Sequence, residues 1–174
     1  MTAASPCLTF TRRVAAAFIK TQGHDANCFP AMKILSAIPG TVRASVTIRS
    51  ENLNRLGSLH GGAICSLTDT MGSLALATKG LYSTGVSTDI NTTFVKAGGG
   101  AGDEVHAIGT VVSLGKTLAT TRFELRHPVS DAVLAYGSHT KFVGKALGHA
   151  ENVDFDETGN HVLKGRPPSE WPAH

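Results

Sequence analysis

Between Asn54 and Asp69 the chain reads NRLGSLHGGAICSLTD. A polar residue leads into a strand-like approach, a His-Gly-Gly turn and then a run of helical periodicity. A helix that begins at this turn leaves its first N–H groups without intrahelical acceptors. Those donors stand at the positive end of the helix dipole, where they suit a developing oxyanion. Asp69 lies further along the run and is the only acidic residue between Glu51 and Asp89. Donors plus one isolated carboxylate suit water-mediated acyl hydrolysis. A tight strand-to-helix turn followed by a solvated Asp fits the same residues, because short motifs are weakly specific.

Other chemistries fail on spacing. Gly115-Lys116-Thr117 ends like a phosphate-binding loop, but Thr110 stands where that loop needs its first glycine. The run GGGAGD at 98–103 lacks the following Lys-Ser/Thr and reads as a flexible hairpin loop. No serine sits in a GxSxG elbow, which excludes a serine hydrolase of that type. The eight histidines are dispersed and HExxH is absent, so no metal site is expected. Cys65 lies one helical turn from Asp69, and a neighbouring carboxylate disfavours a thiolate. It reads as packing.

The elements that must hold these groups follow from hydrophobic period. Residues 9–21 read as a helix, and 22–39 as a loop with one further helical turn. TVRASVTIR after Gly40 alternates with period two and reads as a strand with one buried face. Residues 50–58 read as a turn. From His60 to Lys79 the apolar positions Ile64, Leu67, Met71, Leu74 and Ala75 gather on one stripe of a long helix. Asp69 lies off that stripe with Cys65, Gly72 and Leu76, a semi-apolar face suited to an interface. Candidate strands follow at 85–95, 104–114, 117–127 and 132–143, in meander succession. One antiparallel sheet wrapped on one long helix satisfies this order, an α+β architecture. After Lys145 the pattern dissolves into a polar tail, read as disordered unless Trp171 docks. The chain divides into a helix and lead-in loop (1–39), the main domain (40–144) and the tail (145–174).

Composition narrows the partners. At 174 residues with 41% hydrophobic residues, the chain suits one domain with an ordinary core. A net charge of +3 with scattered Lys and Arg argues against nucleic acid and suits an anionic small molecule. No apolar run approaches the ~20 residues that span a bilayer. Three cysteines without a CxxC argue against a disulfide framework and for a reducing, intracellular compartment. The acid-poor, basic start resembles a mitochondrial presequence, although an ordinary N-terminal helix and a cytoplasmic location fit better.

Helix-then-strands with NxxGxxHGG and a helical acid resembles the hotdog-fold acyl-CoA thioesterases, in their PaaI-like branch. The resemblance extends from about Gly40 to Gly144 and includes GVSTDINTTFV at 85–95, GDEV at 102–105, LGKTLATTRFEL at 114–125 and AYGSHTKFVG at 135–144. It implies roles by position. Asn54 and the Gly61 N–H polarise the thioester carbonyl, Asp69 activates water or attacks the carbonyl itself, and Ser87 positions that water. His60 braces the turn or the Asn54 side chain. Gly115, Lys116 and Thr117 resemble the turn that contacts coenzyme A, and Asp89 and Phe94 resemble groove-lining residues. No cofactor is implied. The turn departs from its relatives at Ser113-Leu114, where a basic residue is common, and the 96–103 loop carries extra glycines.

Geometry separately favours an oligomer. Gly61 and Asp69, eight residues apart, lie about 12 Å apart along a helix axis at ~1.5 Å per residue. That is too far for both to reach one carbonyl, so a second chain must close the site. The resemblance likewise implies a homodimer or homotetramer with shared sites. The leading alternative is a non-catalytic acyl-CoA-binding hotdog protein. A hydratase of the same fold would need an Asp-x4-His pair opening the long helix, and the sole match, Asp156 to His161, lies in the tail. A scaffold domain would turn over no thioester.

Overall fold

A computed structural model describes residues 4–172. Its centre is the long helix α3, Gly61–Ala77. His60 caps it, accepting the Gly62 N–H at 2.8 Å on its own ring nitrogen Nδ1. At the far end Thr78 closes the last turn, and Gly80 reverses the chain at φ 88°, where a side chain would also collide with the Val153 carbonyl. Leu67, Met71, Leu74 and Ala75 are fully buried, as the apolar stripe requires. Each large one contributes about 1.5–3 kcal/mol by leaving water.

Six antiparallel strands wrap this helix. They are β1 (Lys33–Ile38), β2 (Thr41–Thr47), β3 (Val86–Phe94), β4 (Glu104–Leu114), β5 (Leu118–Arg126) and β6 (Val133–Phe142), in the spatial order β1-β2-β4-β5-β6-β3. This is the α+β hotdog arrangement. Period-two burial selects the inward faces: Val105, Ala107 and Gly109 on β4, then Ala119, Thr121, Phe123 and Leu125 on β5.

Four expectations need correction. The lead-in contains not only a short helix, α2 (His24–Cys28), but also strand β1, whose alternation is brief and lies between Pro30 and Pro39. Only β4, β5 and β6 run as a meander; β3 pairs with β6 at the far edge. The 98–103 glycines therefore belong to a crossover from edge to centre, not a hairpin, and the crossover is pinned by Leu59 N–H to Gly99 O at 2.9 Å and Gly102 N–H to Ile48 O at 2.9 Å. Finally, Gly72 and Leu76 do not lie on an open face of α3. Leu76 packs with Ala119 and Val143 of this same chain, so only the first half of that face, with Cys65 and Asp69, is accessible.

The tail is folded as well. Strands β7 (Asp154–Phe155) and β8 (Val162–Lys164) form a small hairpin beside helix α1 (Pro6–Lys20). Phe155 and Trp171 meet the Phe10 ring edge-on at centroid separations of 5.8 and 5.3 Å. Buried Arg13 lies 4.6 Å from the Tyr82 ring centroid and pairs with Glu151. The polar composition concealed these few large anchors. No helix among the described residues is long and apolar enough to cross a membrane.

Helix and sheet meet at backbone distance through glycine. A Cβ on Gly72 would stand 2.6 Å from Thr121 Oγ1 and 2.7 Å from His139 Nδ1. A Cβ on Gly109 would overlap the Met71 carbonyl oxygen. Gly109→Ala should therefore destabilise by about 1–3 kcal/mol or more through overpacking. Urea unfolding monitored by circular dichroism checks this, and an unchanged midpoint would refute the close-approach argument.

Candidate active site

Asp69 projects from the open half of α3 with a side chain 46% exposed. Three groups surround its carboxylate. Ser87 Oγ donates to Oδ1 at 3.3 Å, His139 Nε2 stands 3.4 Å away and Lys141 Nζ 3.6 Å away. His139 and Lys141 are inward-facing residues of β6, at the end of the strand where the pattern turns from Ala135 and Gly137 to polar groups.

Ser87 reaches the same space because β3 is irregular. Ile90, Thr92 and Phe94 pair with His139, Gly137 and Ala135, and so share their helix-facing side. Strict alternation would place odd-numbered Ser87 on the outer face. A register shift between Ser87 and Asp89 instead pairs Ser87 with Lys141 and turns it inward. Asp89 pairs with Thr140 and lies on the opposite side of β3, outside the Asp69 pocket.

The hydrogen bonds assign the His139 tautomer. Nε2 stands 2.9 Å from Ser87 Oγ, and Nδ1 is buried without a partner. An unshared lone pair at Nδ1 costs less than an orphaned N–H, so Nε2 carries the hydrogen. The chain then runs from His139 N–H to Ser87 O–H to Asp69. Burial, reinforced by the Lys141 charge, pushes the His139 pKa down to about 4, so the imidazole is neutral. Burial also lowers the Lys141 pKa, opposed by Asp69. Phe18 and Asp25, from the segment ahead of the main domain, complete a cavity of about 320 Å³ around Asp69. Asp25 Oδ1 accepts the Thr70 hydroxyl at 2.7 Å.

Asn54, Gly61 and Phe94 line a different cavity, also about 320 Å³, together with Lys96, Ala97 and Gly98 of the crossover. Asn54 Oδ1 accepts the Leu56 and Ser58 N–H groups, and its amide donates to Ser58 Oγ at 2.9 Å. His60 therefore braces the turn and not Asn54. The Gly61 N–H has no acceptor among the described residues, and the Phe94 ring lies against its Cα. Gly115, Lys116 and Thr117 form the exposed β4–β5 turn. Thr117 O accepts the Val143 N–H, which sets the turn at the Lys141 end of the sheet. A wider groove, about 510 Å³, lies elsewhere between α1 and β1, and its Arg12 is committed to the Ile34 carbonyl.

Sequence reading missed His139 and Lys141. Their signal was present: both stand at the buried parity of strand 132–143, and a charged residue there needs a partner. Phe18 and Asp25 had no such signal, because only the packing of α1 and α2 on α3 brings them close.

The neutral histidine has a measurable consequence. An unfolded chain binds a proton at His139 near pH 6.5, whereas the folded chain resists until about 4. The unfolded state thus holds more protons in that window, and stability falls as pH drops through it. Tm should decline between about pH 6.5 and 4.5, above the range in which most carboxylates titrate, and His139→Gln should flatten that slope. Equal slopes in both proteins would refute the assignment.

Comparison with known proteins agrees with this architecture. Residues 56–132 match the Thioesterase superfamily family model. A provisionally named esterase of Schizosaccharomyces pombe is 43% identical over 145 residues, covering 83% of this chain and 89% of that one. Human acyl-coenzyme A thioesterase 13 is 33% identical over 111 residues, 64% of this chain and 79% of that one. The crystal structure of zebrafish thioesterase superfamily member 2 superposes with a TM-score of 0.69 at 30% identity, covering 75% of this chain and 94% of that chain. The chain belongs to the hotdog-fold thioesterase superfamily, in the branch of PaaI and thioesterase superfamily member 2, and is a thioester hydrolase of that family.

Proposed function

We propose that the protein hydrolyses acyl-CoA to a carboxylic acid and coenzyme A, with Asp69 as general base. Water attacks the thioester carbonyl carbon, Asp69 takes its proton, and the C–S bond breaks to release the coenzyme A thiol. The observation that carries this reading is the half-exposed Asp69 carboxylate held by Ser87, with His139 and Lys141 behind it. Ser87, already hydrogen-bonded to the base, orients the water. An Asn54 amide N–H and the free Gly61 N–H stabilise the oxyanion. No metal or cofactor enters the scheme, because a thioester is reactive enough for a base and an oxyanion site. The names of human acyl-coenzyme A thioesterase 13 and its relatives support the acyl-CoA class.

The complete site belongs to an oligomer, a homodimer or homotetramer. Support comes from the separation of the Asn54–Gly61 cavity from the Asp69 cavity within one chain. It comes also from edge strand β3, which leaves Val86, Ile90 and Phe94 between 39% and 64% exposed. Joining two β3 edges would cover these side chains and bring the cavities of two chains together. Lys116, on the exposed turn, would meet a coenzyme A phosphate.

Asp69→Asn should lower kcat by about 10²–10⁴-fold with KM nearly unchanged. An assay over short-chain, long-chain and phenylacetyl-CoA checks this, and retention of a third of wild-type kcat would remove Asp69 from the role. Mixing Asp69→Asn chains with Asn54→Ala chains tests sharing. One site of each mixed dimer collects both defects and the other none, so activity should recover towards half of wild type. No recovery after verified exchange would show that each chain carries its own site. Lys116→Ala should raise KM for acyl-CoA at low salt and matter less at high salt, since screening weakens exposed charge pairs. An unchanged KM at low salt would exclude the phosphate contact.

A further inference from the structure

Among the described residues, Lys141 is the one lysine or arginine within 4 Å of the Asp69 carboxylate. Its side chain is only 5% exposed. A buried ammonium is expensive unless paired, and this one has two partners: Ser73 Oγ accepts at 2.6 Å and Asp69 lies at 3.6 Å. Ser73 lies one helical turn after Asp69, so a single helix supplies both the anchor and the target.

We propose that Lys141 is a positioning residue for thioester hydrolysis: seated on Ser73, it holds the Asp69 carboxylate aimed into the cavity. The proposal rests on Asp69 being the reacting base. Of the groups packed around Lys141, none duplicates its charge. His139, on the same strand, is neutral. Asp25, from α2, is a second anion whose field Lys141 also feels. Asp89, from β3, acts on His139. Ser87 on β3 and Ala119 on β5, its register partners, carry no charge, and Phe18 of α1 adds only an apolar wall. Without Lys141 the cavity would hold the Asp69 and Asp25 carboxylates with no cation to balance them.

A positioning role and a structural one predict opposite things. Removing Lys141 leaves Asp69 solvated at 46% exposure and removes a buried charge, so stability should hold or rise. Activity should fall, because the carboxylate loses the ammonium that fixes its direction.

The test uses the full-length protein and whichever acyl-CoA it turns over fastest. Lys141→Met, Lys141→Arg, Ser73→Ala and Asp69→Asn are compared by kcat and KM across pH and by thermal melting. Lys141→Met should lose about tenfold or more in kcat with KM within about twofold and keep or raise Tm. Lys141→Arg should restore most of the neutral-pH rate. It should also delay the alkaline decline, because a guanidinium stays charged where the buried amine does not. Ser73→Ala should show a smaller kcat loss of the same kind. The proposal is overturned if Lys141→Met keeps kcat within twofold while Asp69→Asn is inactive; the base assignment then stands alone. It is overturned equally if Lys141→Met fails to fold, since the pair is then structural. An active Asp69→Asn protein would instead overturn the base assignment and the proposal together.

Discussion

Helix α3 can lie in the curl of the sheet only because glycine removes the side chains where the two touch. Gly72 faces Thr121 and His139, and Gly109 faces the Met71 carbonyl. A single methyl at either point would push helix and sheet apart, and well-packed interiors give way poorly. The site depends on this contact. Asp69 stands one turn before Gly72, so the approach that seats Gly72 on His139 also brings the carboxylate to 3.4 Å from Nε2 and 3.6 Å from Lys141. Fold and chemistry share one constraint.

Charge in the cavity is arranged so that one group of each kind is available. Burial keeps His139 neutral, and the Lys141 charge reinforces that state. A neutral imidazole donates through Nε2 to Ser87 without competing with Lys141 for the carboxylate. Ser87 passes the polarity on to Asp69. In the proposed reaction this sets an oriented hydroxyl beside the base. Cys7, by contrast, is pushed up to about 11 by its burial, which makes it an inert packing thiol.

Much of this was legible in the sequence, and the failures have physical causes. The 61–77 helix and strands β4, β5 and β6 follow from period alone, because each buries one face on a continuous core. Pairing partners do not follow from period. Strand β3 has polar residues on both sides of the chain and leaves its edge unpaired, so nothing local says that it joins β6. Strand β1 is too short for its alternation to stand out. In the site, the His-Gly-Gly cap and Asp69 were visible as types and spacing. The inward turn of Ser87 depends on one extra residue in β3, a register detail set by cross-strand hydrogen bonds. His139 and Lys141 were discernible only after assigning the inward parity of β6. Asp25 belongs to a segment whose address is wholly tertiary.

The division between two cavities explains why the same helix carries both donor and acid. The free N–H groups of a helix exist only in its first turn. A general base there would sit beside the donors and answer to their field. Asp69 lies two turns later, where the sheet supplies the cation and the neutral imidazole instead. In the proposed reaction one chain would supply an electrophilic half at Gly61 and a basic half at Asp69, both carried on helix α3. In the proposed oligomer, pairing across a two-fold axis would be self-correcting, because the same ~12 Å offset would close both sites at once. The exposed edge of β3 lies alongside both halves, with Phe94 at Gly61 and Ser87 at Asp69. Any partner that covered that edge would register against both ends of the helix, so assembly and alignment would be one event.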